Sequence, residues 1–360
     1  ALLPAIKSEF AVQNAGAGLI VTVIWLTYGG MQFPAGVLTD RVGERALLGA
    51  STLFAAVSML GFALAPTYEW FLVAGAGFGI ATGLFGPARG TALTKRYDEF
   101  EGLAFGTVLG AGSVGAAMLP LVATVLTDVF GWRVAIGVVG PAFFLAGVGL
   151  LVVVPKSLPG GTTPGSLREG VRQSIGILGT HRVGLAVAGI VLMLFIFQGL
   201  TAFYPTYLVS EGNLPQSTAS ALYALLFLTG GGFQLSAGRL ADRFGYRRVL
   251  VAVSAVSVLP LVALPWVRSL WLFAIVTVFI AVRLALGPMT NAYIIGSLPT
   301  ENKGTMWGFI RTGFFVISAF GSTVVGGFAD LGYFDAAIYG LAALTVIGGL
   351  LYYFLPQERV

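Results

Sequence analysis

Long apolar runs alternate with short polar breaks along this 360-residue chain, and eleven of the runs are long enough to cross a hydrocarbon core of ~30 Å as helices. The pattern predicts helices near 17–38, 46–66, 70–94, 103–127, 132–154, 183–209, 217–238, 248–267, 270–298, 304–328 and 335–355. One stretch, 156–182, breaks the pattern. Its first part, KSLPGGTTPGS, reads as a flexible linker, and its second, LREGVRQSIGILGTHR, as a short amphipathic helix on a membrane surface. The hydropathy alone therefore describes an all-α polytopic membrane protein.

The pattern also repeats. The residues GVLTDRVGERALL at 36–48 return as GRLADRFGYRRVL at 238–250, an offset of 202 that pairs Gly36 with Gly238, Asp40 with Asp242, Arg41 with Arg243, Gly43 with Gly245 and Arg45 with Arg247. The same offset pairs Gln32 with Gln234, Gly102 with Gly304 and Asp128 with Asp330, and a one-residue slip brings Gly86-Pro87 onto Gly287-Pro288. Such self-similarity sets the fold before any local reading. Equal hydropathy order in both copies predicts two parallel pseudo-repeats of six transmembrane helices about an axis along the membrane normal. The chain divides into an N-terminal bundle at 1–155, a linker at 156–182 and a C-terminal bundle at 183–360. The apolar run before Pro205 has almost no counterpart before Pro4, so the repeat leads us to expect a first helix largely missing here, with about 20 residues upstream.

Composition agrees. Charged residues make up 10%, hydrophobic residues 57%, and mean hydropathy is +0.90, whereas soluble domains carry roughly 25% charged residues. The net charge of +5 is a matter of topology. Threading the helices alternately places 14 of the 20 Lys and Arg residues on one side, which the positive-inside rule makes cytoplasmic. The expected location is the plasma membrane, multi-pass, with linker and C-terminus in the cytoplasm. The charge arrangement points away from nucleic acid. With no cysteine there is no thiol chemistry, and the single histidine, His181, falls in the linker. No nucleophile, acid and base constellation, metal cluster or phosphate-cradling loop is evident, so neither an enzyme nor a cofactor is expected.

On the residues of the two loops the chain resembles the major facilitator superfamily, whose loop between helices 2 and 3 has the pattern G-x-L-a-D-r-x-G-r-[KR], repeated more weakly between helices 8 and 9. The departure is Glu44-Arg45, where the family tends to have two basic residues. The resemblance implies a secondary transporter that works by rocking its halves. Gly36, Asp40, Arg41, Gly43, Arg45, Gly238, Asp242, Arg243, Gly245 and Arg247 would form gating latches, with Asp40 bracing the helix start near Gly304 and Thr305 and Asp242 that near Gly102. The alternative is a topogenic turn of fixed shape. The family's arginine-containing stretch early in helix 4 is absent, and its antiporter pattern is only partly matched by Gly106, Gly110, Gly115 and Pro120.

All 15 carboxylates fall in loops or at helix ends, yet three arginines lie within predicted helices: Arg89, Arg283 and Arg311. Burying an arginine in a membrane costs ~3 kcal/mol or more, so such a residue usually faces a cavity. Arg283 is the deepest, with Gly287, Thr290 and Asn291 following on one helical stripe, and we expect this stripe to line the substrate path, unless the guanidinium is satisfied by carbonyls near Gly287-Pro288. Arg89 and Arg311 are shallower. Tyr28, Gln32, Gln234, Gln198 and Tyr204 complete the candidate set; the paired glutamines would bond near the axis between the halves or bridge helices within them.

Arginines without acidic neighbours favour a small anion, a carboxylate or an inorganic oxyanion, carried by alternating access through a monomer. A proton-coupled drug or metabolite exporter, suggested by aromatic content and the partial antiporter pattern, and a transporter-like receptor that no longer cycles are the alternatives. The partners expected are a small solute and the lipid bilayer.

Overall fold

The computed structural model describes residues 2–96, 101–156, 167–299 and 303–356, which are helical with short connections and no strand among them. A short α1 (Leu3–Phe10) precedes α2 (Asn14–Val42), α3 (Glu44–Ala63), α4 (Tyr68–Arg96), α5 (Glu101–Phe130), α6 (Trp132–Gly137) and α7 (Val139–Val153). The amphipathic α8 (Leu167–Leu178) packs on α14 and leads into the second group. That group is α9 (His181–Ser210), α10 (Gln216–Phe244), α11 (Tyr246–Ala263), α12 (Leu270–Ala281), α13 (Leu286–Ser297), α14 (Lys303–Ser318), α15 (Gly321–Asp330) and α16 (Phe334–Tyr353).

Ten helical stretches among the described residues are long and apolar enough to cross a membrane, and α5 adds a shorter apolar stretch at Val114–Phe130. Four of the expected spans are not single helices, that at 248–267 being α11 followed by a 3-10 turn, Leu264–Trp266. That at 132–154 is α6 and α7, joined at Val138, and that at 304–328 is α14 and α15, joined at Ala319–Phe320. The span at 270–298 is α12 and α13 joined by a 3-10 turn, Val282–Ala285, which contains Arg283. The linker's PGG and TPG segment lies outside the described residues.

The repeat is visible in the packing. Phe10 and Glu9 of α1 meet Trp132, the first by ring contact at 5.9 Å and the second by accepting a 2.7 Å hydrogen bond from the indole. Phe334, 202 residues after Trp132, is likewise met by the end of a preceding long helix, where Tyr207 of α9 lies edge-on at 5.1 Å and donates to Asp335. Gly43 and Gly245, equivalent in the two loops, have φ of 82° and 84°, a region that residues with a Cβ rarely adopt. These turns begin α3 and α11.

The halves meet along two helix pairs, α2 with α14–α15 and α5 with α10. Lipid tails give apolar helices no reason to associate, so the contact rests on close backbone approach and hydrogen bonds. A Cβ on Gly18 would lie 2.5 Å from the Ser322 carbonyl oxygen, and one on Gly326 would lie 2.4 Å from that of Asn14. Between them Thr22 Oγ1 donates to the Ala319 carbonyl at 2.9 Å and lies 2.8 Å from Thr323 Oγ1, while Ser322 Oγ donates to the Gly18 carbonyl at 3.0 Å. The second pair shows Thr124 and Ser220 hydroxyls 2.8 Å apart; these residues are the 202-offset equivalents of Gly326 and Gly18. Towards the arginine-rich end, Phe33 N–H to Thr312 Oγ1 at 3.2 Å is the last bond across α2 and α14 among the described residues, and beyond it Gly36 and Gly304 have no atom within 4 Å of an added Cβ, nor do Gly112, Gly115, Gly232 and Gly238 on the other pair.

Close approach within a bundle is as strict. A Cβ on Gly79 of α4 would fall 2.3 Å from the Ile24 carbonyl oxygen of α2, whereas one on Gly90 would meet nothing within 4 Å. Gly79→Ala should therefore lower the thermal unfolding midpoint in detergent, by the equivalent of ~1–3 kcal/mol, while Gly90→Ala leaves it near wild type. Equal midpoints for the two variants would show that α2 and α4 tolerate separation.

Candidate functional site

One face of α2 carries Trp25, Tyr28 and Gln32, three and four residues apart, and turns them towards α14 and α4. Phe315 of α14 stacks on Trp25 (centroids 5.6 Å apart, planes 8° apart) and meets Tyr28 edge-on at 5.0 Å. Gly29 lets it do so, since a Cβ there would lie 2.6 Å from Phe315 Cβ. One turn earlier on α14, the Arg311 guanidinium sits 5.5 Å from the Phe315 ring, and its Nη2 donates to the Tyr28 hydroxyl at 3.3 Å. Arg89 of α4 lies 5.9 Å from the Phe85 ring, with Tyr28 and Arg311 as its electrostatic neighbours. Gly86, one turn before Arg89, leaves space beside Gln32 Oε1 and the Tyr28 hydroxyl, 3.6 and 3.9 Å from an ideal Cβ.

Two guanidiniums, one from each half, thus converge beside an aromatic stack at the junction of the halves. Arg89 Nε, Arg311 Nε and Gln32 Oε1 are buried without a hydrogen-bond partner among the described residues. Like charges brought together away from bulk water repel, and an anionic or strongly accepting ligand relieves that repulsion while satisfying the free N–H groups. Phe315 itself is buried in this stack, while Trp25 and Tyr28 are half-buried.

Other sequence-predicted residues are placed elsewhere. Gln32 Nε2 donates to the Tyr28 and Gly83 carbonyls (3.2 and 3.4 Å), and its repeat mate Gln234 donates to the Leu284 carbonyl at 3.1 Å. Both glutamines bridge helices within one half. Tyr204 bonds Thr277 inside the C-terminal group, and Gln198 donates to Ser318 at 3.2 Å. The expected stripe of Arg283, Gly287, Thr290 and Asn291 is interrupted by the 3-10 turn at Val282–Ala285, and its members have different surroundings. Thr290, fully buried, donates to Tyr352 of α16, whereas Asn291 is half-buried with an unpartnered Oδ1. Arg283 is 4% exposed, both Nη atoms lack partners among the described residues, and its turn packs on α10 and α11. It does not join Arg89 and Arg311. Phe315 and Phe85 were not expected in the site, because aromatic residues in an apolar helix read as packing; the only signal was their spacing of four from Arg311 and Arg89.

The family model of the Major Facilitator Superfamily matches residues 1–235 and 211–360. The chain belongs to the major facilitator superfamily. It is similar to the multidrug resistance protein MdtG of Enterobacter lignolyticus, with 25% identity over 96% of this chain and 83% of that protein. Similarity to the same-named protein of Citrobacter koseri is 27% over 82% of this chain and 74% of that one. The fold matches that of the nucleoside transporter NupG with a TM-score of 0.82 at 13% identity, covering 98% of this chain and 93% of that one. It also matches a bacterial homologue of the human lysosomal transporter Spinster, solved inward-facing and unoccupied, with a TM-score of 0.79 at 16% identity, covering 98% and 91%. The protein is a secondary transporter of this superfamily, built of membrane-spanning helices in a bilayer and acting on a small-molecule substrate.

The superfamily loops carry further detail. The side chains of Asp40 and Asp242 lie outside the described residues. Arg41 and Arg243 are exposed, Arg45 is half-buried, and Arg247 sits 5.2 Å from the Tyr353 ring. Glu44, the departure from the superfamily pattern, is 2% exposed and pairs with Lys95, tying the start of α3 to the end of α4. Beside it a basic cavity of about 520 Å³, reaching Arg89 and Arg96, continues into an apolar groove of about 380 Å³ between α3, α4 and α7; the two share Phe85 and Leu150. The groove matches by repeat the seat that α9 fills in the other half. There Gly348 meets Met193 and Tyr352 meets Gly189, at positions 202 residues after Ala146 and Leu150 of the groove.

Arg283 allows a direct test of burial against use. A buried, unpartnered arginine costs ~3 kcal/mol, so Arg283→Met should raise the thermal unfolding midpoint in detergent by several degrees. An unchanged or lower midpoint would mean that the guanidinium is satisfied within the fold.

Proposed function

We propose that this protein exports lipophilic, aromatic organic compounds whose polar group is neutral or negative. The observation that carries the reading is the Trp25–Phe315 stack set against Arg311, Arg89 and Tyr28, which joins an aromatic surface to positive charge at the junction of the halves. The multidrug resistance names of the relatives support the export of organic compounds over that of a small inorganic anion. The charge argues against a cation, because no carboxylate stands among the contacts of the cluster. The arginine-rich end is assigned to the cytoplasm by the positive-inside rule, and the end where Asp330 meets Asn14 to the outside. Substrate enters from the cytoplasm or inner leaflet, relieves the repulsion between Arg89 and Arg311, and so draws the halves together at that end. Asp40 and Asp242, acting as loop latches, hold the closed inner end while the outer end opens. The unit that cycles is the monomer, in the plasma membrane.

A second reading, transport of a small carboxylate or oxyanion, is favoured by the two guanidiniums alone. Uptake into inside-out vesicles separates the two. An aromatic carboxylate dye should be transported, Arg311→Ala and Arg89→Ala should each lower its uptake about tenfold, equivalent to ~1.4 kcal/mol, and a lipophilic cation should not compete. Competition by acetate or phosphate as strong as that by the dye would favour the second reading. Uptake indifferent to both substitutions would remove the cluster from the substrate path.

A further inference from the structure

Among the described residues, the shortest hydrogen bonds between the halves lie outside the arginine cluster. At the outer end the Asp330 carboxylate, at the last residue of α15, accepts from the first two backbone N–H groups of α2. Asn14 N donates to Oδ1 and Ala15 N to Oδ2, both at 2.7 Å. The residue before α2, Gln13, offers no side-chain cap of its own. The helix start is therefore capped by a carboxylate from the opposite half, which satisfies two orphan donors and places negative charge at the positive end of the helix dipole. Gly326 and Gly18 bring the backbones close enough for this to happen. Lys7 of α1 bonds the Asn14 side chain and completes the corner.

We propose that Asp330 is the latch of the outward-closed state and that it alternates with the inner loop. The contacts of Asn14 with Asp330, Thr22 with Ala319 and Phe33 with Thr312 show that α2 and α14–α15 run antiparallel, so the end of α2 that carries Asp40 lies towards the end at which α14 begins. A rigid rocking motion about the middle of this pair, near Phe315 and Gly29, closes one end as it opens the other. The outer cap is made here while Gly36 and Gly304 face open space at the inner end. Opening to the outside breaks two charge-assisted bonds and exposes the bare helix start, so Asp330 sets how much of the population faces outwards. Its repeat mate, Asp128 at the end of α5, is exposed and makes no hydrogen bond among the described residues. The outer latch thus acts on one helix pair and not on both.

Because the chain lacks cysteine, paired spin labels can be introduced without background. One pair, Gln13→Cys with Tyr333→Cys, reports the outer end, and another, Ala46→Cys with Lys303→Cys, the inner end, with distances measured by double electron–electron resonance on the full chain in lipid nanodiscs. Asp330→Ala should lengthen the outer distance and shorten the inner one, shifting the outward-open to outward-closed ratio about fivefold to tenfold, equivalent to ~1–1.4 kcal/mol. Asp330→Asn, which keeps shape and one acceptor, should move it in the same direction by less and carries the measurement if the alanine variant does not fold. Asp128→Asn should leave both distributions at wild type. Wild-type distances in the Asp330 variants, or an equal shift from Asp128→Asn, would overturn the proposal. No substrate is needed, so the outcome is independent of which compound the arginine cluster holds.

Discussion

Two apolar helices in lipid gain nothing hydrophobic by touching, so what holds the halves of this transporter together must be contact at the range of van der Waals forces and hydrogen bonds. The α2 and α14–α15 pair meets that requirement through glycine. At Gly18, Gly29 and Gly326 an added Cβ would overlap the facing helix, and the freed space admits the Thr22, Ser322 and Thr323 hydroxyls. Such a seam is firm but shallow. Few groups hold it, each tied to one geometry, which lets the same surface be tight at one end and open at the other. The position of the aromatic stack, the meeting of Arg89 with Arg311 and the cap on Asn14 all follow from how α2 lies against its partner.

Charge and packing divide the work along this seam. Near the middle, Arg89 and Arg311 meet with no carboxylate among the described contacts of the cluster, the feature on which the proposed function rests. At the outer end, negative charge meets the positive pole of a helix and completes itself within the protein. On the proposed reading, a site unsatisfied when empty and a gate satisfied when closed would together keep the molecule outward-closed until a ligand offsets the repulsion. Glu44 with Lys95 does a quieter task, fixing the turn between α2 and α3 to α4 so that the loop moves with its bundle as one body.

Much of this architecture was legible along the chain. Spans, pseudo-repeat and the two glycine turns at Gly43 and Gly245 follow from hydropathy and an offset of 202, because a membrane imposes one length on every helix and a positive φ imposes one residue on a turn. Arg89 and Arg311 stood out for the same kind of reason, since charge in an apolar run is costly. Arg283 stood out equally and was given the central place, but its turn packs on α10 and α11 while Thr290 bonds Tyr352 of α16, and spacing along one helix does not register what the neighbouring helices supply. The glutamines at 32 and 234 were visible as a pair, yet whether a pair bonds across the axis or within each half depends on rotation about the helix, which spacing does not contain.

Sequence by itself determined that this is a membrane protein of two like halves, with its basic loops on one side, because those properties are sums over many residues and survive any local error. Only the tertiary structure decided which arginines meet, that Phe315 and Trp25 stack across the seam between the halves, and that Asp330 caps a helix 316 residues away in the chain. These depend on contacts between helices from different halves, set to a fraction of an ångström by glycines whose partners lie hundreds of residues apart, and no local pattern encodes a distance across a seam.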